Sequence, residues 1–474
     1  MSQDTNIEIT NNKKSFDRIK FLKLINFRSH SEFNLELSGK PIAIIGNNGA
    51  GKTNILEAIS LLSPGRGLRN SKFSEMVKDD NMLPWGVNFE ILSNDKTYQI
   101  SSGLKDNHKG RDIKINGKKV SGSSALPEII LLSWLTPSMD QIFNETPSYR
   151  RRFIDRLCAV YEKNHTKNIK IYEKLMAERN SSFKNKIIDN VWLDALEDQM
   201  SEVSISIAET RLSFIGNLNK VLESNLDIVW PKANLEIHGF VESLVSSWNN
   251  DKAKEMLSEE LKDNRERDFF SKRTTEGVHR SDLFVTERNK NIEAKKCSTG
   301  EQKSLLMGII LSHLELVSNY KFRYPVLLLD EVLAHFDKIR RKSFFKQIQD
   351  IGSQIIMTGT DISVFEELEE IEIYHLNNKK IEAKKCSTGE QKSLLMGIIL
   401  SHLELVSNYK CRYPVLLLDE VLAHFDKIRR KSFFKQIHDI GSQIIMTGTD
   451  VSVFQDLEEI EIYHLNSKKI MDIR

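Results

Sequence analysis

Residues Gly46-Asn-Asn-Gly-Ala-Gly-Lys-Thr53 decide the fold, because they match the phosphate-binding loop that joins a strand to a helix in nucleotide-binding proteins. The apolar run 42–45 precedes this loop, and residues 55–62 after it have apolar side chains at helical spacing. Strand, loop and helix in this order are the context that the motif requires. A chance glycine-rich turn followed by Lys and Thr is a poor alternative, since both flanks agree with the motif.

The loop residues have separate expected roles. Glycines let successive backbone N–H groups and the helix N-terminus point at a phosphate. We expect the Lys52 ammonium to reach the β- and γ-phosphates, and the Thr53 hydroxyl to ligate Mg²⁺. The predicted nucleotide-binding residues of the loop are Gly46, Asn47, Asn48, Gly49, Ala50, Gly51, Lys52, Thr53 and Asn54.

A pair of acidic residues far along the chain is the natural partner of this loop. The uninterrupted apolar run 326–329 is typical of a buried parallel strand, and Asp330 and Glu331 follow at its C-terminal end. We predict that Asp330 holds Mg²⁺ through water and that Glu331 acts as general base on the attacking water. We expect this strand beside the phosphate-loop strand. Taken alone, two acids after a strand could also be a solvated strand end.

Between these two halves lies a predicted helix with a strong start signal. Ser298 precedes it and Glu301 follows three residues later, which is the capping-box pattern. The run 304–314 is long enough for a buried helix. Considered by itself, this segment is simply a capped helix, and its position shortly before the acidic strand gives it further meaning.

These motifs together resemble a known class. Ser298-Thr-Gly-Glu-Gln302 resembles the signature motif of ABC-type ATPases, and Ala334-His-Phe-Asp337 resembles their D-loop. The separation of Gly46 from Ser298 is far longer than in transporter ATPases, so the chain resembles the chromosome-maintenance and repair branch. Within that branch, segments in order from about residue 16 to residue 380 resemble the RecF family. They are 26–30, 47–59, 62–69, 150–155, 178–180 and 277–280.

The resemblance implies an α/β fold: an ABC-type head, with a mixed-sheet lobe and a parallel-sheet lobe, and an inserted helical arm. It implies ATP and Mg²⁺ as cofactors, with Ser298 and Gly300 of one subunit capping the γ-phosphate bound by another. ATP would thus join a homodimer around double-stranded or gapped DNA, and hydrolysis through Glu331 would release it. The implied function is recombinational repair and replication, where a weak DNA-stimulated ATPase assists recombinase loading with mediator proteins. The family's usual histidine is missing at the switch position, where residues 358–361 stand instead, and the phosphate-sensing role is assigned to them.

The patterns along the chain suggest five parts. Alternating strands with Asn-Asp and Asn-Gly turns follow a polar tail, helical runs dominate the middle, and strands return near Gly277. The predicted parts are a disordered tail at 1–15, an ATPase lobe with the phosphate loop at 16–137, a helical arm at 138–275, a second ATPase lobe at 276–380, and an appendage at 381–474.

The appendage is a repeat. Residues 292–380 recur as 381–469 with six differences, so the signature recurs with Ser387 and Gly389, and the acidic pair recurs as Asp419 and Glu420. The phosphate loop does not recur. Two copies of such a long unit do not fit a solenoid, and a recent tandem duplication or an error in the gene model are both open. We predict that the first copy completes the ATP site, because the second would need a long looped-out segment.

Basic residues give the local case for DNA. Residues 150–186 contain eleven basic and four acidic side chains, and the predicted contacts there are Arg150, Arg151 and Arg152. A solvated basic face with salt bridges is the alternative, and Phe153 and Ile154 alongside look buried. A hairpin with six basic residues adds a second basic surface: Lys105, Lys109, Arg111, Lys114, Lys118 and Lys119.

Composition limits the remaining possibilities. A net charge of +2 and a pI near 8.1 are too mild to indicate nucleic acid by themselves. Four cysteines without metal spacing, no long apolar run and a polar start predict a cytoplasmic protein without disulfides or a membrane span. Two other functions remain: a non-catalytic DNA-binding module whose ATP site the duplication impairs, and an ABC transporter subunit. The long spacing argues against the transporter.

Overall fold

The computed structural model describes most of the chain before residue 377 and short stretches after it. The described residues are 15–78, 83–105, 110–185, 189–224, 229–365, 368, 371–376, 416–419, 435, 444–447, 462–466 and 469–473. They form an antiparallel sheet, a parallel sheet and a helical arm, so the predicted fold class is confirmed. None of the helices in these ranges is both long and apolar enough to cross a bilayer.

The antiparallel sheet comes from the first segment of the chain and has the order β3-β2-β5-β6-β7-β8. Its strands are β2 (Arg18–Phe27), β3 (His30–Glu36), β5 (Gly86–Ser93), β6 (Lys96–Leu104), β7 (Arg111–Ile115) and β8 (Lys118–Lys119). The two predicted hairpin turns are present. Asn94 and Asp95 have φ of 50° and 56°, and Asn116 and Gly117 have φ of 49° and 79°, as tight primed turns require.

The parallel sheet draws strands from both ends of the described chain and has the order β16-β4-β15-β14-β9. They are β4 (Ile42–Gly46), β9 (Leu132–Leu135), β14 (Val326–Asp330), β15 (Ile355–Gly359) and β16 (Glu372–Leu376). Every residue of β14 is buried, as its apolar run predicts. The expectation that β14 lies beside the phosphate-loop strand is wrong, because β15 pairs with both β4 and β14 and separates them.

Shorter strands complete the region before residue 377. The strands β1 (Ser15–Phe16) and β13 (Arg323–Tyr324) form a parallel pair, while β10 (Ala233–His238), β11 (Asp282–Glu287) and β12 (Ile292–Glu293) form an antiparallel sheet. The sequence patterns did not predict β10, which lies within the expected all-helical arm and pairs along its whole length with β11. The arm is therefore joined to the returning chain by strand pairing.

Helices lie against the sheets and build the arm. They are α1 (Lys52–Ser60), α2 (Leu126–Ile129), α3 (Pro147–Tyr161), α4 (His165–Lys184), α5 (Asn190–Ser224), α6 (Phe240–Ser247), α7 (Asn250–Asp263), α8 (Arg265–Ser271), α9 (Thr299–Lys321) and α10 (Lys338–Ile351). Single 3₁₀ turns lie at Phe73–Met76, Ser123–Ala125, Pro137–Met139, Val278–Arg280, Ala294–Lys296, Val332–His335 and Ile362–Phe365. All nine residues of α1 are buried, which places the helix after the phosphate loop inside the core.

Two buried arginines hold the arm together. Arg179 donates to Glu197 at 2.8 Å and to Asp268 at 2.6 Å, and all three side chains are buried. Arg211 donates to Asp155 at 2.8 Å and to Glu242 at 3.1 Å, which joins α3, α5 and α6. Removing one partner of such a pair leaves an uncompensated buried charge, at a cost of about 3–5 kcal/mol.

The described stretches of the second repeat copy contain a strand pair that matches the first copy. The strand β17 (Leu416–Asp419) pairs in parallel with β18 (Ile444–Thr447), in the register that β14 and β15 have. The strand β19 (Ile462–Asn466) pairs antiparallel with β20 (Lys469–Ile473), whereas its counterpart β16 pairs in parallel with β4. Ser387, Gly389 and Glu420 lie outside the described residues. The first copy thus supplies β14, β15 and β16 to the parallel sheet.

We predict that deletion of residues 381–469 leaves the head intact. Each strand of the parallel sheet comes from a residue before 377, so the deletion removes none of its hydrogen bonds. Calorimetric unfolding and ATP titration should give the same midpoint and the same dissociation constant as for the full chain. Deletion of 292–380 is the matched control. Full activity after that deletion, together with its loss after deletion of 381–469, would mean that the second copy completes the site.

Candidate nucleotide site

The phosphate loop has a tightly constrained backbone at two glycines. Gly51, directly before α1, has φ of 93°, and a Cβ atom there would lie 2.4 Å from Ser29 Oγ. A Cβ atom on Gly46 would lie 2.8 Å from the backbone oxygen of Leu376 on the adjacent strand β16. Both positions therefore require glycine, and the loop turns at the C-terminal end of β4, where parallel sheets bind ligands.

Lys52 lies folded over the loop with its ammonium group close to both halves of the site. Its Nζ donates to the backbone oxygens of Gly46 at 2.6 Å and Asn47 at 3.2 Å. The same atom lies 3.2 Å from Glu331 Oε1, and both side chains are largely buried. The structure therefore brings together the predicted phosphate ligand and the predicted general base.

Thr53 and Asp330, the two predicted metal residues, are in direct contact. The Thr53 hydroxyl donates to Asp330 Oδ1 at 2.9 Å, and the Thr358 hydroxyl donates to the same oxygen at 2.8 Å. Burial first, and then repulsion by the charge of Glu331, raise the pKa of the Asp330 carboxyl above its ordinary value. A cation at this point would favour the ionised form of the carboxyl.

Glu331 is held by its backbone. It has φ of 54°, and its N–H donates to Thr358 Oγ1 at 3.0 Å, so one threonine contacts the carboxylate of Asp330 and the backbone of Glu331. The sequence pattern pointed to residues 358–361 only as a phosphate sensor.

No group of three or more His, Cys, Asp or Glu side chains in the described ranges could hold a metal alone. The hydroxyl of Thr53 and the carboxylate of Asp330 do suit Mg²⁺, which takes few protein ligands and completes its shell with phosphates and water.

Further polar residues support the loop, and of these only Asn54 was predicted individually from the sequence. Arg28 donates to both carboxylate oxygens of Glu57 at 2.8 and 2.6 Å, and both side chains are buried. Arg69 donates to Asn54 Oδ1 at 3.0 Å, and Asn54 donates to Ser29 Oγ at 2.9 Å. Glu57, a charged residue among the apolar residues of α1, was the one sign in the sequence that buried polar contacts support the loop.

The signature helix begins as its cap predicts. The Glu301 carboxylate accepts from Ser298 N at 2.9 Å and from Ser298 Oγ at 2.8 Å. Hydrogen bonds, first from Lys290 and then from Ser298, lower the pKa of Glu301 to about 2. Ser298 is exposed and Gly300 is half-buried, and the Ser298 hydroxyl bonds Glu301 within its own turn. Gln302 is buried and accepts from Asn144 at 2.9 Å, which anchors this turn to the head.

Of the three predicted DNA-contacting arginines, Arg152 is exposed, while the other two are partly buried against the head. Arg150 forms a two-point contact with Asp282 at 2.8 and 2.6 Å, and Arg151 donates to the backbone oxygen of Ser281 at 2.5 Å. Both therefore connect α3 to the start of β11, whereas Arg152 is exposed. A DNA role for the three stays a prediction.

The basic hairpin of the first lobe is smaller than its composition suggests. Arg111 does not belong to its surface: the side chain is buried and donates to the backbone oxygen of Ser63 at 3.0 Å. Burial lowers the pKa of this guanidinium to about 10. Lys119 lies 3.1 Å from Asp112, so one of the exposed lysines is already paired.

Phosphate loop, acidic strand and capped signature helix together define an ATPase head of the ABC type. The chain matches the family model of the RecF/RecN/SMC N terminal domain over residues 18–379. It is 38% identical to the DNA replication and repair protein RecF of Agrobacterium fabrum over 366 residues, which cover 76% of this chain and 96% of that protein. Its identity to RecF of Rhizobium rhizogenes is 38% over 74% of this chain and 94% of that protein. The chain therefore belongs to the RecF family.

Solved structures agree with this relationship. The recombination mediator protein RecF with ATP, from the RecFOR pathway, superposes with a TM-score of 0.67 and 26% identity, over 77% of this chain and 99% of that one. The RecF-ATPrS structure gives a TM-score of 0.66 and 28% identity, over 73% of this chain and 94% of that one. The predicted family is thus confirmed by sequence and by fold.

We predict that Lys52→Ala abolishes ATP binding at concentrations that saturate the unaltered protein. Lys52 is expected to reach two phosphates, and each hydrogen bond to a charged group contributes about 1.5–3 kcal/mol, so Kd should rise roughly 100-fold or more. Titration of a fluorescent ATP analogue measures the loss. Lys96→Ala, which removes an exposed lysine of β6, is the matched control and should bind normally. Unchanged affinity of the Lys52 variant would contradict the assignment of the loop.

Proposed function

We propose that this chain is an ATP-dependent DNA-binding protein of recombinational repair and replication. The observation that carries the proposal is the contact of Lys52 and Thr53 with Glu331 and Asp330, at 3.2 and 2.9 Å. A phosphate ligand, a metal-type hydroxyl, a metal-type carboxylate and a candidate base thus meet at one edge of the sheet. Relatives named as DNA replication and repair proteins, and a relative solved with ATP, support this choice.

The chain's own residues would divide the work of ATP hydrolysis. Lys52 and the loop N–H groups would bind the phosphates, and Thr53 and Asp330 would hold Mg²⁺. The bound metal supplies positive charge that offsets charge on the phosphate oxygens. Glu331 accepts a proton from the attacking water as general base. The Thr358 hydroxyl donates to the Asp330 carboxylate and accepts from the backbone N–H of Glu331, so it would help to position both residues.

The exposed signature turn supports an ATP-gated homodimer. Ser298 and Gly300 lie at the N-terminus of the long helix α9, whose first-turn N–H groups and dipole favour an anion. In the proposed dimer, this turn of one subunit caps the γ-phosphate on the loop of the other. ATP binding then closes the dimer on double-stranded or gapped DNA, and hydrolysis reopens it. With mediator proteins, this cycle would assist recombinase loading, and its ATPase would be weak and DNA-stimulated.

The helix α4 offers the best surface for DNA phosphates among the described residues. Lys167, Lys170 and Lys174 are exposed and follow the spacing of one helix face. Arg152 on the adjoining helix is exposed as well. In contrast, Arg179 of the same helix is buried. The exposed subset, rather than the total charge of the segment, is what could release counterions from DNA.

The alternative function is a non-catalytic DNA-binding module with an ATP site impaired by the duplication. The ATPase rate of the purified full chain, measured with and without duplex DNA, separates the two. The proposed function expects slow hydrolysis that DNA accelerates. Normal DNA binding without any hydrolysis would favour the alternative.

We predict that Glu331→Gln retains ATP binding, prolongs the ATP-bound dimer and slows turnover. The amide keeps the shape of the side chain but cannot take a proton, and general-base catalysis contributes roughly 10²–10⁴-fold. Steady-state hydrolysis and size-exclusion chromatography with ATP measure the two effects.

The repeat requires one control for this experiment. If turnover survives in the single variant, Glu331→Gln combined with Glu420→Gln shows whether the second copy substitutes. Surviving turnover in the double variant would show that neither glutamate is the base.

We predict that replacing Lys167, Lys170 and Lys174 together by Ala weakens duplex binding. The slope of log affinity against log salt should fall by up to about 0.9 for each lost phosphate contact. Fluorescence anisotropy at several salt concentrations measures both quantities.

A triple substitution on another arm helix is the matched control for that experiment. Lys252, Lys254 and Lys262 of α7 carry the same charge, and each is paired with a carboxylate within 3.4 Å. On α4, Lys174 lies 3.6 Å from Glu178. Replacement of the three α7 lysines by Ala should leave the salt slope unchanged. Equal effects of both triple variants would mean that only net charge matters, and that α4 is not the contact surface.

A further inference from the structure

A cavity of about 290 Å³ lies where the arm meets the edge of the parallel sheet, on residues that the nucleotide site does not use. Trp134 on edge strand β9, Arg156 on α3 and His165 on α4 line it. Most of the remaining wall is apolar, with Pro64, Ile130, Leu132, Val160 and Ile169. Such a volume is at the small end of ligand pockets and suits a body about the size of one aromatic side chain.

Three buried nitrogen atoms on residues of this cavity have no hydrogen-bond partner among the described residues. They are Arg156 Nε, Trp134 Nε1 and His165 Nδ1. The Trp134 and His165 side chains are 6% and 1% exposed. Most buried polar atoms in proteins are paired, because an unpaired one costs about 1–3 kcal/mol. Three such atoms on residues of one cavity leave hydrogen-bonding capacity unused beside it.

Arg156 gives the cavity its charge. Its guanidinium lies over Trp134 at 4.6 Å and over Phe153 at 5.5 Å, and its Nη2 meets only the weak acceptor Met139 Sδ at 3.4 Å. It takes part in none of the ion pairs found among the described residues. Burial lowers the pKa of this guanidinium to about 10, so the group is still a cation at neutral pH.

Asp155, the carboxylate deepest in the cavity wall, is already hydrogen-bonded to other side chains. Asp155 accepts from Arg211 at 2.8 Å and from His165 Nε2 at 2.9 Å, which balances its charge. Glu173 and Lys170 line the cavity from exposed positions and offset each other in charge, and Arg152 adds a further exposed positive group. The net field on the cavity is therefore positive, although its walls are mainly apolar.

We propose that this cavity binds a small apolar carboxylate, whose body packs among the aliphatic side chains and whose carboxylate accepts hydrogen bonds from Arg156. A planar guanidinium matches a carboxylate at two points. An apolar wall disfavours a strongly hydrated ion such as phosphate, because the wall cannot replace its water. The ligand thus pairs the buried charge of Arg156 and fills the space beside it.

Phenylacetate and its neutral isostere phenylacetamide test the proposal on the full chain. Ligand-observed NMR titration should show phenylacetate binding about tenfold or more tightly, the factor expected for one charged hydrogen bond. Arg156→Met should remove this preference, and Arg156→Lys should keep part of it. The matched control Arg288→Met, which removes an exposed arginine paired with Glu223, should keep all of it.

Folding of the variants does not obscure the outcome. Met replaces an unpaired buried charge by an apolar side chain of similar volume, so the unfolding temperature of Arg156→Met should not fall. Ala159→Phe, on a residue of the cavity wall, should exclude both probes and leave Arg156 in place. Equal binding of the two probes, or binding that survives both variants, would overturn the proposal. Tighter competition by inorganic phosphate, or by a short peptide with a C-terminal Phe, would overturn the assigned ligand.

Discussion

The hydrogen bond from Thr53 to Asp330 is the contact on which the head depends. It joins the first turn of α1 to the end of β14, two elements separated by 277 residues of chain. Parallel pairing makes this possible, because β4, β15 and β14 all end at the same edge of the sheet. The insertion of a whole arm between the two halves does not disturb their meeting, provided that the sheet order is kept.

Local patterns predicted the parts of the site, but not their surroundings. The phosphate loop, the buried acidic strand and the Ser298 cap depend on neighbours within a few residues, so the chain shows them directly. The position of β15 between β4 and β14, and the pairing of β10 with β11, depend on contacts between distant segments. Periodicity within one segment contains no information about which distant strand will be its partner.

Counts of basic residues predicted the exposed charged surfaces least well, for a related reason. Arg150, Arg179 and Arg111 contribute to basic runs in the sequence, yet each turns inward to a carboxylate or to backbone oxygens. A formal charge does not say whether its side chain faces water, and only the helix face or sheet face decides this. Thr358 shows the opposite case: this uncharged residue, assigned only to phosphate sensing, bonds the carboxylate of Asp330 and the backbone N–H of Glu331.

The attachment of the arm has a mechanical consequence. Arg150 and Arg151 tie α3 to Asp282 and Ser281, where the chain re-enters the head, and Arg211 ties the same region to α5. From there β11 leads through the short strand β12 directly into the turn of Ser298. The two-point ionic contact of Arg150 with Asp282 restrains rotation of α3 against the start of β11. The base of the arm is thus held at the point from which the chain leads on to the signature turn.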